Sequence, residues 1–322
     1  MKTANILLIA LATLLVIALI YSLALTWNTK TKNPFADKKL LDKGMDRPVI
    51  WLYYDQSDVN SRWWSDFGSR SSRVLNLPFL NLCYESIVAQ NGDKYRIQVI
   101  GGLSGLAEIL GGWDALPSGL RNPIAPVNEA EMNWIRAAVL AQFGGLWLSP
   151  YSIAVAPFGE LPKDDAVFFG TDLDETYAGS GGTAVPGFRC VWSPKPAVPL
   201  FVEWRDICRR RLEERAGGQQ IRGDAKWDWT ALTAKYGQAI INSSAEGSRR
   251  AGSGKRIQLE DLLATGHGGT LPFEVPPCVI YVPLLWPELR DREAFGWFLR
   301  MDERQIMESD TSVKYLLARS IH

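Results

Sequence analysis

The chain has 322 residues, 47% hydrophobic and 22% charged, which is ordinary for a globular protein and suits one large α/β domain or two modest ones. Lys plus Arg and Asp plus Glu balance at 35 each, so overall charge gives no reason to expect a nucleic-acid partner. Four widely spaced cysteines, Cys83, Cys190, Cys208 and Cys278, contain no Cys-x-x-Cys pair, which argues against a zinc or thioredoxin-like site; buried free thiols are expected, with two disulfides as the alternative in an oxidising lumen.

Ile6 to Leu25 is an uncharged run of 20 residues, enough at about 1.5 Å per residue to span roughly 30 Å of hydrocarbon. It lacks the short apolar region and small-residue cleavage site of a signal peptide, so a retained transmembrane anchor over residues 1–27 is expected. Residues 28–47 form a basic linker: Lys30, Lys32, Lys38, Lys39, Lys43 and Arg47 outweigh Lys2 and the amino terminus. The positive-inside rule then places the main domain on the cytosolic side. There the sequon Asn242-Ser243-Ser244 carries no sugar.

Residues 48–322 read as the globular part. Val49 to Tyr54 is apolar, aromatic and β-branched, the signature of a buried first strand, and Asp55-Gln56-Ser57-Asp58 is its polar exit. A helix over Leu77 to Gln90, closed by Asn91-Gly92, leads to a second strand over Tyr95 to Ile100. Strand, helix, strand implies a parallel pair. A short helix over Leu103 to Leu110 and a loop over Pro117 to Val127 come next. Glu129 to Phe143 is expected to be an amphipathic helix with Ile135, Val139 and Phe143 on one face, stopped by Gly144-Gly145 and followed by the strand Leu146-Trp147-Leu148. Ala166 to Gly170 is a further strand, Leu200 to Arg215 a helix, and Thr230 to Ile241 a helix. Gly217 to Asp224 and Glu246 to Lys255 are Gly-, Ser- and Arg-rich loops. Pro276 to Leu285 is a proline-punctuated late strand, and Arg290 to His322 a helical, charged tail.

The strand Val49 to Tyr54, the helix near Leu80 to Val88, the strand Tyr95 to Ile100 and the helix-Gly-Gly-Leu-Trp-Leu unit come in the order seen in capsular polysaccharide synthesis proteins. The chain resembles these proteins, which belong with the family 32 glycosyltransferases, over roughly residues 48 to 210. The resemblance implies a GT-A fold: a Rossmann-like α/β domain with a mostly parallel central sheet that binds a nucleotide sugar. It also implies two carboxylates at the end of the strand after Gly-Gly, which bridge through Mg²⁺ or Mn²⁺ to a diphosphate. At those places stand Ser149 and Tyr151, in Ser149-Pro150-Tyr151, and Asn133 takes the place of an Asp ahead of Arg136. Neutral ligands do not replace two anionic ones on a hard cation, so no metal is expected. Arg136 is retained and is a candidate for a phosphate contact, with a structural ion pair as the rival reading.

Other residues are candidates to compensate. Asp172-Leu173-Asp174-Glu175 follows the strand Ala166 to Gly170, where α/β sites collect ligands, although a solvated loop reads the same way. His267 lies between glycines that would let backbone approach a phosphate. By analogy with the family, Asp55 and Asp58 after the first strand are candidates to contact a nucleotide base or ribose, with a solvated loop as the rival reading. The binding candidates are therefore Arg136, Asp55, Ser149 and Tyr151, and the catalytic candidates Asp172, Asp174 and His267.

Two functions follow. One is a membrane-anchored, catalytically degenerate glycosyltransferase-like protein that holds lipid through Ile6 to Leu25 and protein partners in an assembly, such as a large virus particle with a membrane. It would need no cofactor. The other is an active transferase using a nucleotide sugar with Mn²⁺ or Mg²⁺ at a non-standard site.

Overall fold

The computed structural model describes residues 47–55, 77–122, 126–170, 186–215, 232–243, 247, 250, 255–266, 268, 270–284 and 286–321. The expected anchor at 6–25, nearly all of the linker, Asp58, Asp172, Asp174, Glu175 and His267 lie outside the described residues. Among the described residues, no helix is long and apolar enough to cross a membrane.

Strand β1 (Val49–Tyr54) is apolar at every position because both of its faces are covered. Successive side chains on a strand point to opposite faces. Ile50, Leu52 and Tyr54 accordingly enter one hydrophobic core, and Trp51 and Tyr53 enter another. The remaining strands are β2 (Arg96–Gly101), β3 (Gly145–Leu148), β4 (Ser152–Ala154), β5 (Ala166–Phe169), β6 (Cys190–Ser193), β7 (Ile240–Ser243) and β8 (Tyr281–Pro283). Six of them form one sheet in the order β2-β1-β3-β6-β5-β7. β1 runs parallel to β2 and β3, and β5 parallel to β7; only β6 is antiparallel to its neighbours, so the sheet is mostly parallel. β4 and β8 pair as a separate antiparallel ribbon.

Helix α1 (Pro78–Asn91) packs on the first face together with α5 (Ser312–Ile321). α2 (Gly102–Leu110), α3 (Glu129–Phe143) and α4 (Pro199–Arg215) cover the second face, with α3 against α4. The result is a three-layer mixed α/β protein compatible with a Rossmann-like fold. The first face is also sealed by polar contacts. The Ser86 hydroxyl accepts the Ala154 amide at 3.0 Å, the Ser320 hydroxyl donates to the Ala154 carbonyl, and Gln90 Nε2 donates to the Ser320 carbonyl at 2.6 Å. These bonds satisfy both backbone groups of a fully buried residue of β4, which would otherwise be costly to bury.

Four expectations change. α3 is not amphipathic: every residue from Asn133 to Ala141 is buried, because the sheet and α4 enclose it and Ala137, Ala138 and Ala141 let neighbours approach closely. Thr230 to Ile241 is not one helix. The helix stops before Gly237, a short 3₁₀ turn follows, and Ile240–Ser243 pairs with β5, where β-branched residues fit the sheet edge. The late strand contracts to Tyr281–Pro283 and serves the small ribbon. Arg290 to His322 is helical as expected, but it packs into the body of the protein rather than forming a tail, since Phe298, Ile306, Val313, Leu316 and Leu317 are core residues.

Gly144 and Gly145 hold the start of β3. Both have left-handed φ, 65° and 93°. The Gly144 amide closes α3 on the Leu140 carbonyl at 3.0 Å, and the Gly144 carbonyl accepts the Trp51 indole N–H at 2.8 Å. A β-carbon on Gly144 would lie 2.7 Å from the Lys195 carbonyl carbon, and one on Gly145 would lie 2.7 Å from the Val49 oxygen. Conformation and space both demand glycine here.

Candidate functional site

The chain goes from β1 outward to β2, then crosses to the other side of β1 for β3. Strand order therefore reverses between β1 and β3, and in open α/β sheets the crevice beyond the carboxyl ends at such a point is where ligands bind. Asp55 follows β1 and Ser149 follows β3, so the two stand at neighbouring strand ends. Asp55 Oδ2 accepts the Val127 amide at 3.4 Å and so ties the β1 exit to the segment leading into α3.

α3 begins with a capping box. Asn128 Oδ1 accepts the Glu131 amide at 3.1 Å, and Glu131 Oε2 accepts the Asn128 amide at 2.8 Å. Glu129, Asn133 and Arg136 follow at helical spacing and meet on one side of the helix. Arg136 is only 6% exposed. Its Nη1 and Nη2 both reach Glu129 Oε1 at 3.2 Å, and Nη1 also donates to Asn133 Oδ1. The guanidinium carbon lies 5.9 Å from the ring centroid of Trp147 in β3 and 5.9 Å from that of Phe188, just before β6. Nε of Arg136 is buried and has no hydrogen-bond partner. Burial pushes the guanidinium below its ordinary range; the Glu129 carboxylate opposes that shift and the nearby positive charge of Arg189 adds to it.

Ser149 is half-buried, and its amide donates to the Arg189 carbonyl at 2.7 Å, extending the β3–β6 ladder by one residue. Pro150 then turns the chain out of the main sheet. The Tyr151 carbonyl accepts the Leu284 amide at 2.8 Å, which starts the β4–β8 ribbon, and the Tyr151 side chain packs against the core of the first face. Arg136, by contrast, stands over Trp147 in the core of the second face. Asp55 and Ser149 thus stand at neighbouring strand ends, Arg136 is buried over Trp147, and Tyr151 is carried to the other side. Asp172, Asp174 and His267 lie outside the described residues. Among the described residues, no three or more His, Cys, Asp or Glu side chains form a group able to hold a metal.

Sequence reasoning did not anticipate Glu129, Phe188 and Arg189 as neighbours of Arg136. Glu129 was legible in principle, seven residues before Arg136 and therefore two helical turns away. Phe188 and Arg189 arrive only through β6, a four-residue strand that Pro186-Gly187 and Pro194-Lys195-Pro196 bracket with turn signals, so that signal could have found it.

No family model matches the chain, and no curated protein matches it. One solved structure, a transferase carrying two cysteine-to-serine substitutions, aligns over 58% of this chain and 88% of its own at 11% identity, with a TM-score of 0.27. That likeness is too distant to define a fold family. What the fold defines is a mixed α/β protein with a mostly parallel sheet whose strand order reverses between β1 and β3.

Proposed function

We propose that this chain is a glycosyltransferase-like protein, anchored in a membrane by Ile6 to Leu25 with its globular part on the cytosolic side, and that it acts as a structural or interaction module without metal-assisted sugar transfer. The observation that carries the reading is the exit of β3. A GT-A enzyme needs carboxylates there to hold the metal and offset the charge of a departing diphosphate. Ser149 and Tyr151 supply none, and Tyr151 is committed to the ribbon and the opposite core. Arg136, buried over Trp147, is already paired with Glu129.

Calorimetry with UDP or GDP plus Mn²⁺ tests the central point. The expected result is no binding in the micromolar range, and micromolar binding would overturn the reading. Removal of residues 1–27 is expected to release the protein from the membrane pellet; continued pelleting counts against the anchor.

An active transferase is the second reading, favoured by the direction of β5. That strand runs parallel to β1 and β3, so its exit opens on the same sheet edge. The Gly187 amide donates to the Gly170 carbonyl at 3.0 Å, which pins both ends of the segment that bears Asp172 and Asp174. Mn²⁺-dependent hydrolysis of a nucleotide sugar, abolished by Asp172→Asn or Asp174→Asn, would establish this alternative.

A further inference from the structure

Among the described residues, Trp113 and Trp297 are the tryptophans that stand out from the surface, at 46% and 40% exposure. Their surroundings differ. Trp297 meets the Phe298 ring edge to face, and Arg300 follows it by one helical turn. Trp113 has no ring, cation or hydrogen-bond acceptor against its indole among the described residues. Elsewhere the chain supplies such rings with cations: Arg209 lies 5.4 Å from the centroid of Trp134, and Arg292 lies 4.6 Å from that of Phe295.

The backbone under Trp113 is fixed from two helices. Trp113–Ala115 is a short 3₁₀ turn beyond the end of α2. Guanidinium groups take the carbonyls that follow the tryptophan. Arg121 donates Nη2 to the Asp114 oxygen at 2.8 Å and Nε to the Leu116 oxygen at 3.0 Å, and Arg209 of α4 donates to the Ala115 oxygen. Bonds from charged donors are stronger than neutral ones, and Leu116 and Leu120 root the turn in the second core. An indole on such a support is pre-organised, so little freedom is lost when a partner covers it.

Space and charge indicate what fits. Gly111 and Gly112 precede the indole with φ of 93° and 129°, and a β-carbon on either would meet nothing within 4 Å, so the surface beside the ring is open. The Asp114 side chain is fully exposed. Its ion pair with Arg121, at 3.6 Å, is a weak surface contact to a guanidinium already bonded to two carbonyls. Exposed Glu108, in the last turn of α2, adds a second carboxylate.

We propose that the Trp113 turn is a docking surface for an arginine- or lysine-bearing segment of a partner protein. The cation lies on the face of the indole, where the ring quadrupole attracts it, and Asp114 meets its charge. A planar guanidinium suits the ring better than an ammonium. The proposal rests on the interaction-module reading for its biological role and on the turn alone for its geometry.

The full chain, labelled with fluorotryptophan in mild detergent, tests this by fluorine NMR. The signals of Trp113 and Trp297 are assigned by their loss in Trp113→Phe and Trp297→Phe. On titration with hexa-arginine peptide, the Trp113 signal is expected to shift saturably while the Trp297 signal stays in place. Asp114→Asn, which alters a fully exposed side chain and leaves the core untouched, is expected to weaken the response at least about threefold. A Trp113 signal that does not move, that moves in step with Trp297, or that responds equally to hexa-glutamate overturns the proposal. A response to neutral maltohexaose in place of the arginine peptide also overturns it, since the indole would then be a sugar platform. Binding of UDP with Mn²⁺, measured separately, bears on the degenerate-site reading and leaves these outcomes distinct.

Discussion

The two ends of β3 differ in what determines them. At its start, Gly144 and Gly145 are dictated by geometry: left-handed backbone, no room for a β-carbon, and a carbonyl already taken by Trp51. At its end, Ser149 is half-buried and holds the sheet through its amide, which nearly any residue supplies. One end states the fold and the other leaves chemistry open. A protein can therefore keep the architecture of a ligand-binding sheet while the side chains at its mouth change without structural penalty.

Substitutions along the strand probe this contrast. Gly145→Ala is expected to have the largest effect, about 3 kcal/mol of lost stability by urea denaturation, combining an unfavourable φ with a clash against the Val49 oxygen. A loss below about 1 kcal/mol would show that the glycine end yields more readily than its geometry implies. Arg136→Met should cost about 2 kcal/mol, because the buried Asn133 loses its guanidinium partner while the new side chain keeps the ring contacts. Trp51→Phe is expected to cost about 1 kcal/mol through loss of the bond to Gly144. Ser149→Ala should change stability by less than about 0.5 kcal/mol, since the amide bond to Arg189 persists. A larger loss there would erase the distinction between the two ends.

A chemical probe sharpens the same comparison without mutation. Cys190 pairs with Leu148 at the far end of β3 and is fully buried, as are Cys83 and Cys208, whereas Cys278 is exposed. Burial also pushes the Cys83 thiol up, away from the reactive thiolate. A thiol reagent is expected to titrate one cysteine in the native protein and four after denaturation. Native modification of Cys190 would reveal that the site end of β3 opens.

Much of the sheet was legible because β1, β2, β3 and β5 announce themselves by unbroken apolar or β-branched runs, and Gly-Gly by its punctuation. β4 and β6 were not, because strands of three and four residues have too little pattern to stand out from loop. β7 was mistaken for helix because its identity comes from a partner 74 residues earlier, the pairing of Ala166 with Ile240. The site was legible as a set of residue types: Ser149 and Tyr151 in neutral form, and Arg136 as a lone cation. Its division was not, because only the turn at Pro150 sends Tyr151 to the opposite core.

The seal on Ala154 has a consequence for biosynthesis. One of its two side-chain partners lies 68 residues earlier in the chain and the other 166 residues later. During translation, Ser86 is ready when β4 emerges from the ribosome, but Ser320 is not. The first face of the sheet stays uncapped through the synthesis of more than half of the chain, so the nascent protein presents an apolar surface to chaperones until its last helix arrives.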